Sequence, residues 1–562
     1  MTEQTTTTSQ ITITIDGQEV QAEVMRALVS ATVDQHSHLP DLFTLTFFDS
    51  DMKLLDEGPF DLTKTVEISA EGPDGDAIDL IKGEITALEP NFEEGMIARL
   101  VVRGYDKSHR LYRETKTKAY LNKKDSDLAD EIAGSAGLRT EIETTSIVYD
   151  HIFQHNQTDL EFLQIRARRI GYECFVSADK LFFRKPPDDD PEASLTWGSD
   201  LKTFHPSMTL AEQVDEVVVR GWDVQRKEAI VGRAQNGRVW QKVHQQKNGG
   251  EIASDFGLGK IVFADLPVVS QAEADVLAAA RLDELSGAFI EAEAVAFRRP
   301  DIRAGRYVDL QGLGNRLSGK YLVTSATHSY SPEGLQTTFS MHGSRSGIIS
   351  EQLGTVGASE RFPSVVIGIV TNAEDPNGWG RVKLKFPWMS DDAESDWARV
   401  SGQGAGPEAG LCVIPEVGDE VVVAFEHGNF SRPFVLGGLW NGQADLPPET
   451  AGARGNEKPL VRTWRSRTGH RLTMHDDAKD MIEIETAGGH NVAIDDAGKR
   501  LKITTSGGLS ITLDDNAGKI AIDSGNEVEI KSSGHMKIEA GGNLDLKASG
   551  QVNVRGATIN LN

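Results

Sequence analysis

Apolar residues fall at every second position in many short stretches of this chain. "ITITI" (11–15), "ARLVVRG" (98–104), "DEVVVRGW" (215–222) and "KYLVTSATHSY" (320–330) predict half-buried strands. In three places the spacing changes to three and four. Thr158 and Glu161 have the spacing of a capping box, Leu160, Leu163, Ala167 and Ile170 follow on one face, and Gly171 ends the run. Ser270 with Glu273 opens a second helix that reaches Gly287, and a third runs from Asp125 or Ser126 to Ala136 before Gly137. Strands outnumber helices, so the expected class is mainly β with a few helices.

The pattern also divides the chain. Residues 1–345 carry the mixed strands and helices. The weak pattern of 346–363 reads as a linker. Within 364–443, "SVVIGIVTNA", "GRVKLKFPW", "WARVSGQ" and "DEVVVAFEHG" alternate with turn chemistry such as "DPNGWG", which predicts a small barrel. Residues 444–470, rich in Pro, Gly and charge near their start, read as a second linker. The rest, 471–562, is repetitive in two registers. The pairs Asp476-Asp477, Asp495-Asp496 and Asp514-Asp515 recur every 19 residues, and from Lys519 the chain runs in eights, about ten short strands in all. The aspartates read as turn residues, since the glycine-rich nonapeptide of calcium-binding rolls is missing.

Each eight holds two apolar residues two apart: Ile520 and Ile522, Val528 and Ile530, Met536 and Ile538, Leu544 and Leu546, Val552 and Val554. Period two places each pair on one face of a strand. Eight residues suffice for one side of a prism, whereas an ordinary single-chain β-helix needs some 20 or more residues per coil. Identical sides point to symmetry, and three chains wound together would bring the ten side chains to a common axis as a spike core. At about 4.8 Å per strand, ten strands make a needle roughly 50 Å long. This predicts an intertwined trimeric β-helix or β-prism.

Composition narrows the function. A chain of 562 residues has room for about three or four domains. Its formal charge of −27 repels phosphate backbones and excludes nucleic acid as the partner. The start "MTEQTTTTSQ" lacks a secretory signal, so synthesis in the cytoplasm without a signal peptide is expected. Cys174 and Cys412 lie far apart outside any CxxC and read as two buried free thiols. No metal, cofactor or catalytic set is expected. "HSH" (36–38) has no third ligand and reads as an exposed loop. His151 and His155 lack the glutamate of a zinc-protease motif and read as structural. Glu416, Asp419, Glu420 and Glu426 are read as turn and strand residues rather than the carboxyl pair of a glycosidase. The acidic "PPDDDPE" (186–192) reads as a solvated loop.

Three groups of strings carry a resemblance. "DPNGWGRVKLKFPW", "SDWARV" and "PEVGDEVVVAFEHGNFSRPFVLGGLWNG" (415–442) resemble the OB-fold barrel of the valine-glycine-repeat (VgrG) spike proteins. "QHNQTDLEFLQIRARRIGYECFV" (154–176) and "GRYVDLQGLGNRLSGKYLVTSATHSYSPEGLQTTF" (305–339) are similar to their hub, which is related to phage late-control protein D. With the repeats, the order is hub, barrel, needle.

The resemblance implies a homotrimer at the tip of a contractile injection system. Two tube-like β-barrel subdomains per hub would match a hexameric, Hcp-like inner tube protein. Baseplate proteins would surround it, with toxin cargo as a further partner. A PAAR-repeat tip protein would seat on the blunt end, with Ile559, Asn560, Leu561 and Asn562 as the contact. The spike would pierce the target envelope mechanically and would not be an enzyme. Only about 30 residues separate barrel from needle, too few for a lysozyme domain, and no effector domain follows. These features favour a phage-tail-like extracellular particle over a type VI secretion tip or a phage baseplate; release or anchoring stays open. Two other readings start from the same repeats: a β-helical polysaccharide-degrading enzyme of the tail-spike kind, and an adhesin whose barrel binds sugar.

Overall fold

The computed structural model describes residues 10–561 except 95–96, 178, 189, 245–246, 265–266, 344–363, 390–392, 443–445 and 454–457. The segment expected as the first linker, 346–363, therefore lies outside the described residues. The fold is mainly β with a few helices, as the alternation predicts, and it divides into two compact units, Met1–Leu439 and Trp440–Asn562.

The first unit is built on an eleven-stranded antiparallel sheet. From one edge its strands are Leu201–Met208, Ile290–Phe297, Gly334–Met341 and Ser325–Ser331, then Leu28–His36, Leu42–Phe48, Ile97–Asp106, Ala77–Glu93, Thr65–Glu71, Ile11–Ile15 and Gln18–Glu19. Two stretches of chain far apart in sequence thus share one sheet. The seam is the pairing of Leu28–His36 with Ser325–Ser331, where Tyr330 faces Ala31 and Ser325 faces His36.

Each half buries its own core. Phe43, Leu45 and Phe47 alternate inward and meet Ile13, Val66, Ile68 and Val102. The Phe43 ring occupies space that only a glycine leaves open: a Cβ on Gly104 would lie 2.1 Å from the Glu84 carbonyl oxygen and 2.4 Å from that ring. The other half packs Leu195, Ala294, Leu310, Tyr321 and Phe339.

Between the halves in sequence come the helices Asp125–Ser135 and Asp159–Arg169, whose inner faces bury Leu128, Ile132, Leu160 and Leu163 with Phe183 in a core of their own. The capping box forms as its spacing predicts. Glu161 donates its amide to the Thr158 hydroxyl (3.3 Å), and the Thr158 amide donates to the Glu161 carboxylate (2.9 Å). Gly137 takes φ +69° just past the first of these helices, the left-handed stop that glycine tolerates best. Ser270 caps Gln271–Gly287.

A five-stranded sheet of Lys383–Lys385, Val366–Asn372, Glu420–Phe425, Pro433–Gly438 and Arg399–Val400 closes the first unit around Val370, Leu384, Val421, Val423 and Val435. Its "DPNGWG" turn is held by Asp375, which accepts from the amides of Asn377, Trp379 and Arg381 and from Nη2 and Nε on one edge of the Arg381 guanidinium (2.7 and 3.1 Å). Phe153, from the strand Tyr149–Thr158, packs on this core.

The second unit is a seven-stranded antiparallel meander: Val461–Arg465, Arg471–His475, Met481–Glu485, Asn491–Asp495, Arg500–Thr504, Ser510–Asp514 and Lys519–Asp523.

Three expectations need correction. The stretch 444–470 is not all linker. Val461–Arg465 adds the first strand of the meander, because Val461 and Thr463 alternate as the later strands do and pair with His475 and Thr473. "HSH" is not an exposed loop: His36 ends a sheet strand and Ser37 is buried, donating to the Thr324 carbonyl. Cys174 is buried as expected, but Cys412 is exposed, since it lies in the strand-free run between Arg399–Val400 and Glu420–Phe425.

Candidate functional site

The register of the meander sorts its side chains. Leu472 faces Ile484, Ile484 faces Val492, Val492 faces Ile503, Ile503 faces Ile511, and Ile511 faces Ile522. Trp464 opens this ladder opposite Leu472. A second ladder, two residues along each strand, runs Met474, Ile482, Ile494, Leu501, Leu513, Ile520. Period two puts both ladders on one face of the sheet. Across seven and six strands they extend for roughly 30 and 25 Å.

The opposite face is polar, with Arg471 against Glu485 and Arg500 against Asp495 as directly facing ion pairs. Such pairs contribute roughly 0.2–1 kcal/mol each on a sheet surface. The Gly498 amide, and after it Arg500, hold the Asp495 carboxyl below its usual range. Asp514 does the same turn work in the next hairpin, accepting from the Ala517 amide at 2.8 Å. The paired aspartates are thus turn residues, and among the described residues no cluster of three or more His, Cys, Asp or Glu could hold a metal.

Both apolar ladders are open within the single chain. Trp464, Ile484, Ile494, Ile503, Ile511 and Leu513 are all exposed, and Ile520 and Ile522 at the far end are 73% and 56% exposed. Surface patches of this extent mark interaction sites, whereas isolated exposed apolar residues do not.

The eights continue the same alternation without the same pairing. Among the described residues no strand follows Asp523. The hydrogen bonds beyond it are turn contacts, such as Ser524 Oγ donating to the Glu527 carbonyl (2.9 Å) and Ser532 Oγ to the His535 carbonyl (3.4 Å). Val528, Ile530, Met536, Ile538, Leu544, Leu546, Val552 and Val554 are all exposed. The single chain does not bring the ten expected core residues together: Ile520 and Ile522 join the ladders, and the other eight stand apart. Ile559, Asn560 and Leu561 are exposed too, and Asn562 lies outside the described residues.

The ladder residues from Trp464 to Leu513 are absent from the expected core. The signal for them was the 19-residue register. Two five-residue strands with their turns fill one such period, and each strand carries the same two-apart apolar pair as an eight.

The remaining chemistry-bearing candidates hold structure. Asp419 accepts from the Glu416 amide in a turn (2.9 Å), and Glu426 pairs with Arg432. His151 is buried against the five-stranded sheet and donates Nε2–H to the Glu394 carbonyl, and the His155 ring lies 4.1 Å from that of Phe430.

The hub sheet and the five-stranded barrel have counterparts. Residues 5–332, more than half of the chain, match the family model described as the Alg8 N-terminal domain, and residues 366–440 match the type VI secretion system/phage-baseplate injector OB domain. The type VI secretion system spike protein VgrG3 of Vibrio cholerae is 30% identical over 168 residues, which is 26% of this chain and 16% of that one. Spike protein VgrG1a of Pseudomonas aeruginosa is 30% identical over 186 residues, 28% of each. The chain is a VgrG-family spike protein with an Alg8 N-terminal domain. Its likeness to these VgrG relatives spans between a sixth and a third of their length. Among solved structures, the E. coli c3393 protein superimposes with a TM-score of 0.50 at 15% identity, covering 76% of this chain and 99% of that one. That protein is described as a type VI secretion component with structural similarity to the phage T4 tail proteins gp27 and gp5, and the likeness shows that the fold is shared.

Proposed function

We propose that this chain is the central spike of a phage-tail-like contractile injection system and that it works as a homotrimer. The observation that carries the reading is the pair of unbroken apolar ladders on one face of the meander. Three copies related by a threefold axis would each supply one wall of a prism and bury that face against the other two. Past Asp523 each eight would cross one wall and pass to the next, so that the strands above and below it belong to the other copies. Backbone amides and carbonyls left unpaired in one chain would then be paired between chains. Burying a Leu- or Ile-sized side chain contributes about 1.5–3 kcal/mol, and each position counts three times in a trimer.

In this reading the hub adapts a hexameric, Hcp-like inner tube to the threefold needle, and baseplate proteins surround it. Ile559, Asn560 and Leu561 seat a PAAR-type tip cap. Sheath contraction drives the needle through the target envelope, so the work is mechanical rather than enzymatic. The particle is of the extracellular kind.

The test is native mass by light scattering, with and without residues 461–562. The intact chain is expected at three times 61.2 kDa, and the truncated one at a lower state. A monomeric intact chain at working concentration would overturn the spike reading. Sustained release of reducing ends from peptidoglycan would overturn the non-enzymatic part.

A further inference from the structure

A polar cavity of about 70 Å³ opens in the first unit between the strand Leu28–His36, the hairpin strands Glu173–Ser177 and Lys180–Arg184, and the loop before Tyr307–Gln311. That is several times the roughly 10–15 Å³ that one water molecule needs on the same measure. Three guanidinium groups line it, Arg184, Arg303 and Arg306, together with Gln35, His36 and the carboxyl groups of Asp41 and Glu192.

The protein uses only part of each arginine. Arg184 Nε lies 3.0 Å from the Glu173 carboxylate and its Nη1 donates to Glu141, Arg303 Nη2 donates to the Asp79 carbonyl at 2.6 Å, and Arg306 Nε lies 3.3 Å from Glu192. Each guanidinium has five N–H donors, so donors remain on all three. One of them, Arg184 Nη2, is buried and has no hydrogen-bond partner. Gln35 shows the complementary defect. It is 6% exposed, its Nε2 donates to the Leu80 carbonyl at 2.7 Å, and its Oε1 is buried without a donor. An unmatched buried donor or acceptor costs about 1–3 kcal/mol.

The missing group must accept from arginine and donate to an amide oxygen. Arg184 and Arg306 already face carboxylates, Arg303 has none in ion-pair range among the described residues, and burial pushes the Asp41 carboxyl towards its neutral form. Arg303 and the unpartnered Arg184 Nη2 thus leave cationic donors for an anion, whose oxygens suit the planar guanidinium fork. Hydrogen phosphate meets both demands: its bare oxygens accept from the arginines, and its P–OH donates to Gln35 Oε1. We propose that this cavity binds a small protonated oxyanion of the phosphate class, either free phosphate or the phosphomonoester end of a larger molecule.

Isothermal titration of the full chain tests this with inorganic phosphate, glycerol phosphate and sulfate in parallel. Saturable binding of one phosphate per chain is expected. Glycerol phosphate binding alongside it would point to an ester end, and inorganic phosphate alone to the free ion. Sulfate carries no proton near neutral pH, so it is expected to bind at least tenfold more weakly. Arg303 is half-buried and has no carboxylate in ion-pair range among the described residues, so Arg303→Met should leave the circular dichroism spectrum unchanged and weaken phosphate at least tenfold. Gln35→Leu should remove the preference for phosphate over sulfate. The proposal is overturned by absence of saturable heat with either phosphate compound, by equal affinity in Arg303→Met, or by equal affinity for sulfate and phosphate.

Discussion

The imidazole Nε2 of His151 lies 3.1 Å from the main-chain carbonyl oxygen of Glu394, joining the strand Tyr149–Thr158 to the five-stranded barrel across 243 residues of sequence. A carbonyl only accepts, so Nε2 carries the proton. Nδ1 is buried without a hydrogen-bond partner, and a second proton there would have no acceptor.

Burial is the largest influence on this histidine and lowers its pKa; the Glu394 carbonyl and Asp396 oppose that shift, and Lys383 adds to it. Burial lowers His155 as well. With folded pKa values below the ordinary histidine value of about 6.5, the unfolded state takes up protons first. The stabilisation from the neutral rings is therefore full above about pH 6.5 and declines as pH falls below it. Hydrogen exchange, corrected for intrinsic rate, should be faster at pH 5.5 than at 7.5 in segments 149–158 and 393–398. His151→Gln should flatten that difference. Equal protection at the two pH values would contradict the assignment.

Gly104→Ala should destabilise the hub. The added methyl meets the Glu84 carbonyl oxygen and the Phe43 ring at distances that no rotamer relieves, because one obstacle is backbone. Overpacking of this kind costs about 1–3 kcal/mol. Differential scanning calorimetry should show the transition of the first unit several degrees lower.

Asp375→Asn should weaken the barrel near neutral pH by about 1–3 kcal/mol, since it removes the charge behind five hydrogen bonds. Arg381, foremost, holds the native carboxyl well below the usual range. That stabilisation is present above the unfolded carboxylate value of about 3.8 and is lost as pH falls below it. The gap between variant and native midpoints in urea should accordingly narrow from pH 7 towards pH 3. A constant gap would mean that the charge plays no part.

Neighbouring residues on opposite faces of one meander strand should behave differently. Ile503→Lys places a charge in the apolar ladder and should abolish or weaken the proposed trimer, read by light scattering. Lys502→Ala, on the polar face, should leave it intact. Equal behaviour of the two variants would remove the ladder from the assembly.

Some of this protein was readable without a structure. Thr158, Glu161 and Gly171 bracket a helix because capping is decided within a few residues, by side chains reaching their own backbone. The two-apart apolar pairs give the faces of the meander strands, since strand geometry alone fixes which neighbours share a side. The 19-residue register held the ladder from Leu472 to Leu513 in the same form, although the pairing that joins it across strands is tertiary.

What the tertiary structure decided is which distant edges meet. Leu28–His36 pairs with Ser325–Ser331 because both present unfilled backbone donors and acceptors at the ends of their own half-sheets, and no local pattern names a partner some 290 residues away. His151 looked like half of a metal motif, and only packing against Glu394 and Phe153 made it a neutral strut. Gln35, Arg184 and Arg303 carry no shared spacing at all, and their convergence on one cavity follows from the way the sheet, the hairpin and the loop close on one another. Period and capping are properties of a few consecutive residues, so sequence determines them; the partner of an edge or a buried charge depends on what the rest of the chain leaves open.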